Sequence, residues 1–189
     1  MTIHLTKTHI RQVCLSQRKH LPQQFVTQAS QRIINTIQDM QVYQAAKHIG
    51  WYHPSRGEVD LSSLWQSALA NNKYCYFPAI QPDNTLLFLP YTANTELFFN
   101  RYQIAEPLMD AHKAIPPQNL DILFLPTVAF DAEQNRLGMG KGYYDKTMEN
   151  HPGPLLIGVA YEWQKQPSLP CDSWDIPLSM IITEERTYP

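Results

Sequence analysis

The sequence predicts an α/β fold: a single domain over residues 1–189, with helices layered on a largely parallel sheet. Three observations lead there. Two amphipathic helical segments open the chain, and helix-like and strand-like segments then alternate. Two runs, LDILFLP (120–126) and LLIGVA (155–160), are apolar without alternation, as strands covered on both faces should be. A chain of 189 residues that is 43% hydrophobic and 17% charged can close one full core, and it is not an intrinsically disordered chain.

Residues 4–20 read as a helix on which Lys7, Arg11, Cys14 and Arg18 fall near one stripe, because three- and four-residue steps nearly close whole turns. Pro22 punctuates. Residues 23–39 form a second helix with Val26, Ala29, Ile33 and Ile37 on one face. Residues 46–52 read as the first strand. Pro54, Ser55 and Gly57 mark a loop, and residues 59–70 read as helical. Short strands follow at 73–77, 85–89 and 95–101, split by Pro78, Pro82 and Pro90. After the strand at 120–126, a glycine-rich loop (136–142) leads into a helix from about 143. Strands at 155–160 and 179–182 complete the sheet.

Composition removes several function classes. No apolar run approaches the roughly 18 residues that span a bilayer, so no membrane association is expected. The N-terminus carries Lys7, His9 and Arg11 where a secretory signal needs an apolar stretch. Cys14, Cys75 and Cys171 are too few and too scattered for a disulfide framework or a cysteine zinc site, which suits a cytoplasmic protein. His4, His9, His20, His48, His112 and His151 show no metal-ligand spacing. The net charge is −2, but residues 1–50 hold six Lys/Arg against Asp39 alone, while the remainder holds nine basic and sixteen acidic residues. Overall acidity argues against a nucleic-acid partner, and the basic first segment suits a small anionic ligand.

Only 7 glycines occur, yet Gly138, Gly140 and Gly142 fall together in RLGMGKGYYD (136–145). Such a loop lets successive backbone amides approach an anion, and Arg136 and Lys141 add fixed positive charge. Asp145 is placed to hold a Mg²⁺ that bridges phosphate oxygens. Phosphate or nucleotide binding is one reading; a tight strand-to-helix turn is the other. The spacing matches neither GxxxxGK[ST] nor GxGxxG.

RLGMGKGYYD resembles the signature loop of the 5-formyltetrahydrofolate cyclo-ligase family. The resemblance spans nearly the whole chain in order: KTHIR (7–11), HPSRGEVD (53–60), Glu106-Pro107, LDILFLPTVAFD (120–131), AYEWQ (160–164) and LPCDSWDIPLSMIITE (169–184). It implies a three-layer, Rossmann-like fold. It also implies conversion of 5-formyltetrahydrofolate and ATP to 5,10-methenyltetrahydrofolate, ADP and phosphate with Mg²⁺. Lys7, Arg11 and the run Arg136, Leu137, Gly138, Met139, Gly140, Lys141, Gly142, Tyr143, Tyr144 then look like ATP contacts. His53, Glu58 and Met139, Gly140, Lys141, Gly142, Tyr143 look like folate contacts. Asp145 and Asp175 look like Mg²⁺ ligands, and Arg136, Lys141 and Asp145 like the catalytic group. The partners expected are these small molecules, and the chain is expected to be a monomer.

Without the resemblance, Lys7, Arg11 and Arg18 read as a solvated helix face, Glu58 as an acid starting a helix, and Asp175 as a turn residue. Trp51, Trp65, Trp163 and Trp174 read as core or pocket rim, and Cys75 as buried and inert. Two other functions stay open. A sugar-phosphate isomerase or acyl-CoA transferase would need a catalytic carboxylate away from the phosphate loop. A non-catalytic folate or nucleotide binder would survive loss of Asp145.

Overall fold

The structure, a computed structural model, describes residues 6–149 and 153–189. The first helix, α1 (Lys7–Lys19), is capped by the Thr6 hydroxyl, which accepts from the His9 amide. Its expected start at residue 4, like His4 and His151, lies outside the described residues. Helices α2 (Gln23–Asp39) and α3 (Gln41–Ala45) precede strand β1 (His48–Gly50). Then come α4 (Ser62–Ala70), β2 (Tyr74–Ile80), β3 (Leu86–Tyr91), β4 (Leu97–Phe99) and β5 (Ala105–Pro107). Strand β6 (Ile122–Pro126), the hairpin β7 (Ala129–Phe130) and β8 (Arg136–Leu137), and helix α5 (Tyr143–Met148) follow. Strands β9 (Leu155–Val159), β10 (Met180–Ile182) and β11 (Thr187–Tyr188) end the series.

Seven strands form one sheet in the order β11-β10-β9-β6-β1-β2-β3. Neighbours from β10 to β2 run parallel, and only the edge strands β3 and β11 are antiparallel. The apolar run of β6 explains itself here. Ile122 and Phe124 point to one face, where α2 buries Ile33 and Ile37 and α4 buries Leu64 and Ala68. Leu123 and Leu125 point to the other, against Met148 of α5 and Leu178. Covering both faces demands apolar side chains at consecutive positions, and each fully buried Leu, Ile or Phe contributes about 1.5–3 kcal/mol. Ile33→Ala, at a position with no exposure, removes the centre of the α2 contact.

The chain runs from β1 to β2 on one side, then returns to build β6, β9 and β10 on the other. Strand order therefore reverses between β1 and β6, and a crevice opens beyond the carboxyl ends of these strands, where ligands bind in open parallel sheets. Among the described residues no helix is long and apolar enough to cross a membrane.

Several expectations change in detail. The first strand keeps only His48–Gly50 of residues 46–52; Trp51 turns into the core, and Tyr52 and His53 leave the sheet to line the crevice. Helix α4 starts at Ser62 rather than 59, so Glu58 is not a helix-starting acid. Residues 95–101 contribute only Leu97–Phe99, and this strand pairs with β5 in a separate two-stranded hairpin. Arg18 is not on a solvated face: it is 2% exposed. The stripe holding Arg11, Cys14 and Arg18 is the inward face of α1, whose Ile10 and Cys14 pack on Val128, Ala129 and Leu137.

Candidate active site

The crevice is a cavity of about 640 Å³. Tyr52 and His53 reach it from the end of β1, Ile80 from the end of β2, and Pro126 from the end of β6. Its two ends differ in chemistry.

At one end sits Glu58, 7% exposed. Arg18 donates from Nη2 to Glu58 Oε1 at 3.2 Å, and from Nε to the Arg56 carbonyl at 3.0 Å. The Ser55 amide and hydroxyl donate to Glu58 Oε2 at 3.0 and 3.3 Å. The turn is tight because Gly57 adopts φ +74° against α1, where a Cβ would meet the Arg18 carbonyl at 3.0 Å. Burial pushes the Glu58 carboxyl up, and Arg18 and Ser55 pull it back. His53 stacks on Phe77 with ring centroids 4.2 Å apart. Its Nε2 is buried and has no partner among the described residues. Burial lowers the imidazole to about 4, so at neutral pH it presents an uncharged ring to the cavity.

At the other end the glycine loop follows β8. Among the described residues, none of the backbone amides from Gly138 to Gly142 is hydrogen-bonded. Gly140 holds φ +88°, and a Cβ there would meet the Arg11 guanidinium at 3.0 Å. That guanidinium donates from Nε to the Gly138 carbonyl at 2.8 Å, tying α1 to the loop. Arg136 donates to Asp145 at 2.8 Å and to the Ile176 carbonyl. Lys7 binds Asp172 at 2.7 Å and also Asp175. Burial works against the charge on Lys7, but the two carboxylates outweigh it and hold the ammonium above its ordinary value. Burial likewise opposes ionisation of Asp175. The Asp172 amide and Lys7 outweigh it and hold the carboxyl below its usual range. Asp175 also closes a turn onto the Asp172 carbonyl, so the turn reading holds beside the ionic one.

All eleven residues matched to ATP segments line this cavity, as do His53, Glu58, Asp145 and Asp175. The structure adds residues that were not singled out as site residues. Arg18 is the buried partner of Glu58, and its only sequence signal was its place on the Lys7–Arg11–Cys14 stripe. Asp172 is a second acid on Lys7. Tyr102, from the β4–β5 hairpin, shares a 2.7 Å hydroxyl–hydroxyl hydrogen bond with Tyr143. Trp174, 63% exposed, stands on the rim, whereas Trp51 and Trp65 are core residues. Cys75 is buried, donating to the Trp65 carbonyl.

The donors suit Mg²⁺ in kind. Among the described residues no three His, Cys, Asp or Glu side chains converge as a ready-made metal centre. Asp145 and Asp175 each direct one oxygen to a protein partner through Oδ1 and Oδ2 respectively. The other oxygen of each has no hydrogen-bond partner among the described residues. Two hard carboxylate oxygens beside a cationic glycine loop match an ion usually held by one or two carboxylates, phosphates and water.

Three comparisons with known proteins bear on this arrangement. The model of the 5-formyltetrahydrofolate cyclo-ligase family matches residues 4–184. A 5-formyltetrahydrofolate cyclo-ligase of Haemophilus influenzae is 38% identical over 183 residues, covering 93% of this chain and 94% of that protein. The Escherichia coli K12 protein of the same name is 38% identical over 136 residues, covering 70% and 75%. The NMR structure of Aquifex aeolicus 5,10-methenyltetrahydrofolate synthetase superposes with a TM-score of 0.85 at 31% identity, covering 97% of this chain and 92% of that one. A cavity joining a buried, arginine-paired carboxylate to a cationic glycine loop thus sits in a chain that matches, nearly end to end, enzymes of one kind. The chain belongs to the 5-formyltetrahydrofolate cyclo-ligase family of enzymes.

Proposed function

We propose that this chain converts 5-formyltetrahydrofolate and ATP to 5,10-methenyltetrahydrofolate, ADP and phosphate. The observation that carries the reading is that one cavity is lined both by Glu58 and by the loop Gly138–Gly142 with Arg136, Lys141 and Asp145. A substrate with an amide-like pterin edge and a triphosphate can meet there.

The formyl carbon on N5 is a poor electrophile, and hydroxide is a poor leaving group. Transfer of the γ-phosphoryl group to the formyl oxygen makes phosphate the leaving group. N10 attacks the same carbon, the ring closes, and the C–O bond breaks, the departing phosphate taking the proton that N10 loses. Both nucleophiles belong to the substrates, so the protein contributes positioning and charge. Glu58, oriented by Arg18 and Ser55, accepts hydrogen bonds from the pterin amino and ring N–H groups. His53, uncharged, lines the same end of the cavity and contacts the folate there. The loop amides, Lys141 and Arg136 cradle the phosphates, and Lys7 and Arg11 approach them from α1. Asp145 and Asp175 would hold Mg²⁺, which when bound neutralises phosphate charge. Tyr143 and Tyr144 line the junction of the two ligands. The chain is proposed to act as a monomer in the cytoplasm, a reducing compartment that suits its three free thiols.

The test is absorbance of the methenyl product, measured with 5-formyltetrahydrofolate and Mg²⁺, with and without ATP. An ATP-dependent rise is expected, and Asp145→Ala should lose it while keeping its unfolding transition. No rise at any ATP concentration, from folded protein that still binds ATP, overturns the reading.

A further inference from the structure

The hairpin β4–β5 carries a cation that the chemistry above does not use. Its turn is braced. The Asn100 side-chain oxygen accepts from the Tyr102 amide at 2.8 Å and the Ile104 amide at 3.1 Å, and Gln103 holds φ +60°. The turn presents Arg101, exposed, with its guanidinium 5.0 Å from the Tyr102 ring centroid. Arg101 Nη2 donates to the Tyr143 hydroxyl at 2.8 Å. Two contacts therefore fix the plane of the fork and leave most of its donors unused. Among the described residues no carboxylate lies within ion-pair distance of it. Glu106 feels its charge but is bound instead to the Asn100 side chain at 2.7 Å and the Ile80 amide at 3.3 Å.

We propose that Arg101 is a specificity-determining residue that takes a carboxylate of the substrate's glutamate tail; this rests on the reading of the cavity as a folate site. A folate is uncharged at its pterin and anionic only at its tail. With the pterin against buried Glu58, the tail leaves through the open side. Tyr102 and Tyr143 line the cavity, and their hydroxyls sit beside Arg101 where it meets solvent. The cations assigned to phosphate are carried by other elements, Lys7 and Arg11 by α1 and Lys141 by the glycine loop. An exposed, pre-oriented guanidinium suits a bidentate carboxylate.

The test compares 5-formyltetrahydrofolate with 5-formyltetrahydropteroate, which lacks the glutamate, in the unaltered protein and in Arg101→Gln. The unaltered protein should favour the glutamylated compound about fivefold in KM, the size expected for an exposed charge pair. R101Q should lose that preference. A preference that survives R101Q, or that the unaltered protein never shows, overturns the assignment. So does a rise in the KM for ATP with the folate preference unchanged, which would make Arg101 a phosphate ligand. Should the unaltered protein make no product from either compound, the reaction reading falls. Equilibrium binding of the two compounds, read from tryptophan fluorescence, then still decides the Arg101 assignment by the same preference and its loss in R101Q.

Discussion

At the Glu58 end of the cavity the charges are buried and paired over 40 residues of chain, from Arg18 in α1 to Glu58 after β1. At the glycine-loop end Lys7 pairs with Asp172 near the surface and Lys141 is exposed, while the covered Arg136 side chain reaches the partly exposed Asp145. The first arrangement is costly to disturb, because a buried ion left alone has no solvent to turn to. The Lys7 pairs exchange partners at little cost, because water replaces what is broken. One end is a fixed, buried frame, and the other keeps cations within reach of solvent.

Breaking the Glu58 end should give the largest effect. Glu58→Ala leaves Arg18 without its buried counter-charge and should cost about 3–5 kcal/mol in urea unfolding. Replacing both partners, as Arg18→Met with Glu58→Leu, should restore most of that stability and none of the folate binding. A loss below about 1 kcal/mol for Glu58→Ala would erase the contrast between the ends. Gly140→Ala disturbs the other end through its backbone. It strains φ +88° and pushes the Arg11 guanidinium away. A loss of about 1–2 kcal/mol and a roughly tenfold higher KM for ATP are expected, with the folate KM moving less.

His53 sharpens the comparison through pH. Its folded value of about 4 lies below the ordinary 6.5, so the unfolded chain takes up a proton that the folded one refuses. That contribution is intact above pH 6.5 and is lost as pH falls toward 4. His53→Phe should flatten the stability profile over this window by about 1–2 kcal/mol, a figure already reduced for the ring's partial exposure. A profile as steep as the unaltered protein's would place the acid sensitivity elsewhere. Lys141→Ala should do least. Stability should stay within about 0.5 kcal/mol, and the KM for ATP should rise about threefold to fivefold.

The two ends were also unequally legible. Gly138, Gly140, Lys141 and Asp145 announce themselves in ten consecutive residues, because a glycine-rich loop is a local structure. Arg18 and Glu58 carry no such signal. Read alone, Arg18 is a charge on a solvated helix face and Glu58 an acid starting a helix, and only the docking of α1 beside the crevice shows that they neutralise each other. The parallel strands β6 and β9 were plain from unbroken apolar runs. The strands β5, β7, β8 and β11 were not, since two or three residues are too few to show a period. The hairpin that carries Arg101 was likewise invisible as a wall of the site, because its strands pair outside the main sheet.

The ion pairs of Lys7 reach acids 165 and 168 positions further along the chain. During translation, the basic first helix therefore emerges long before the residues that balance it. A nascent chain with the glycine loop already made still lacks the turn at 172–175. The charge balance of the glycine-loop end is therefore completed only once the turn at 172–175 has been made.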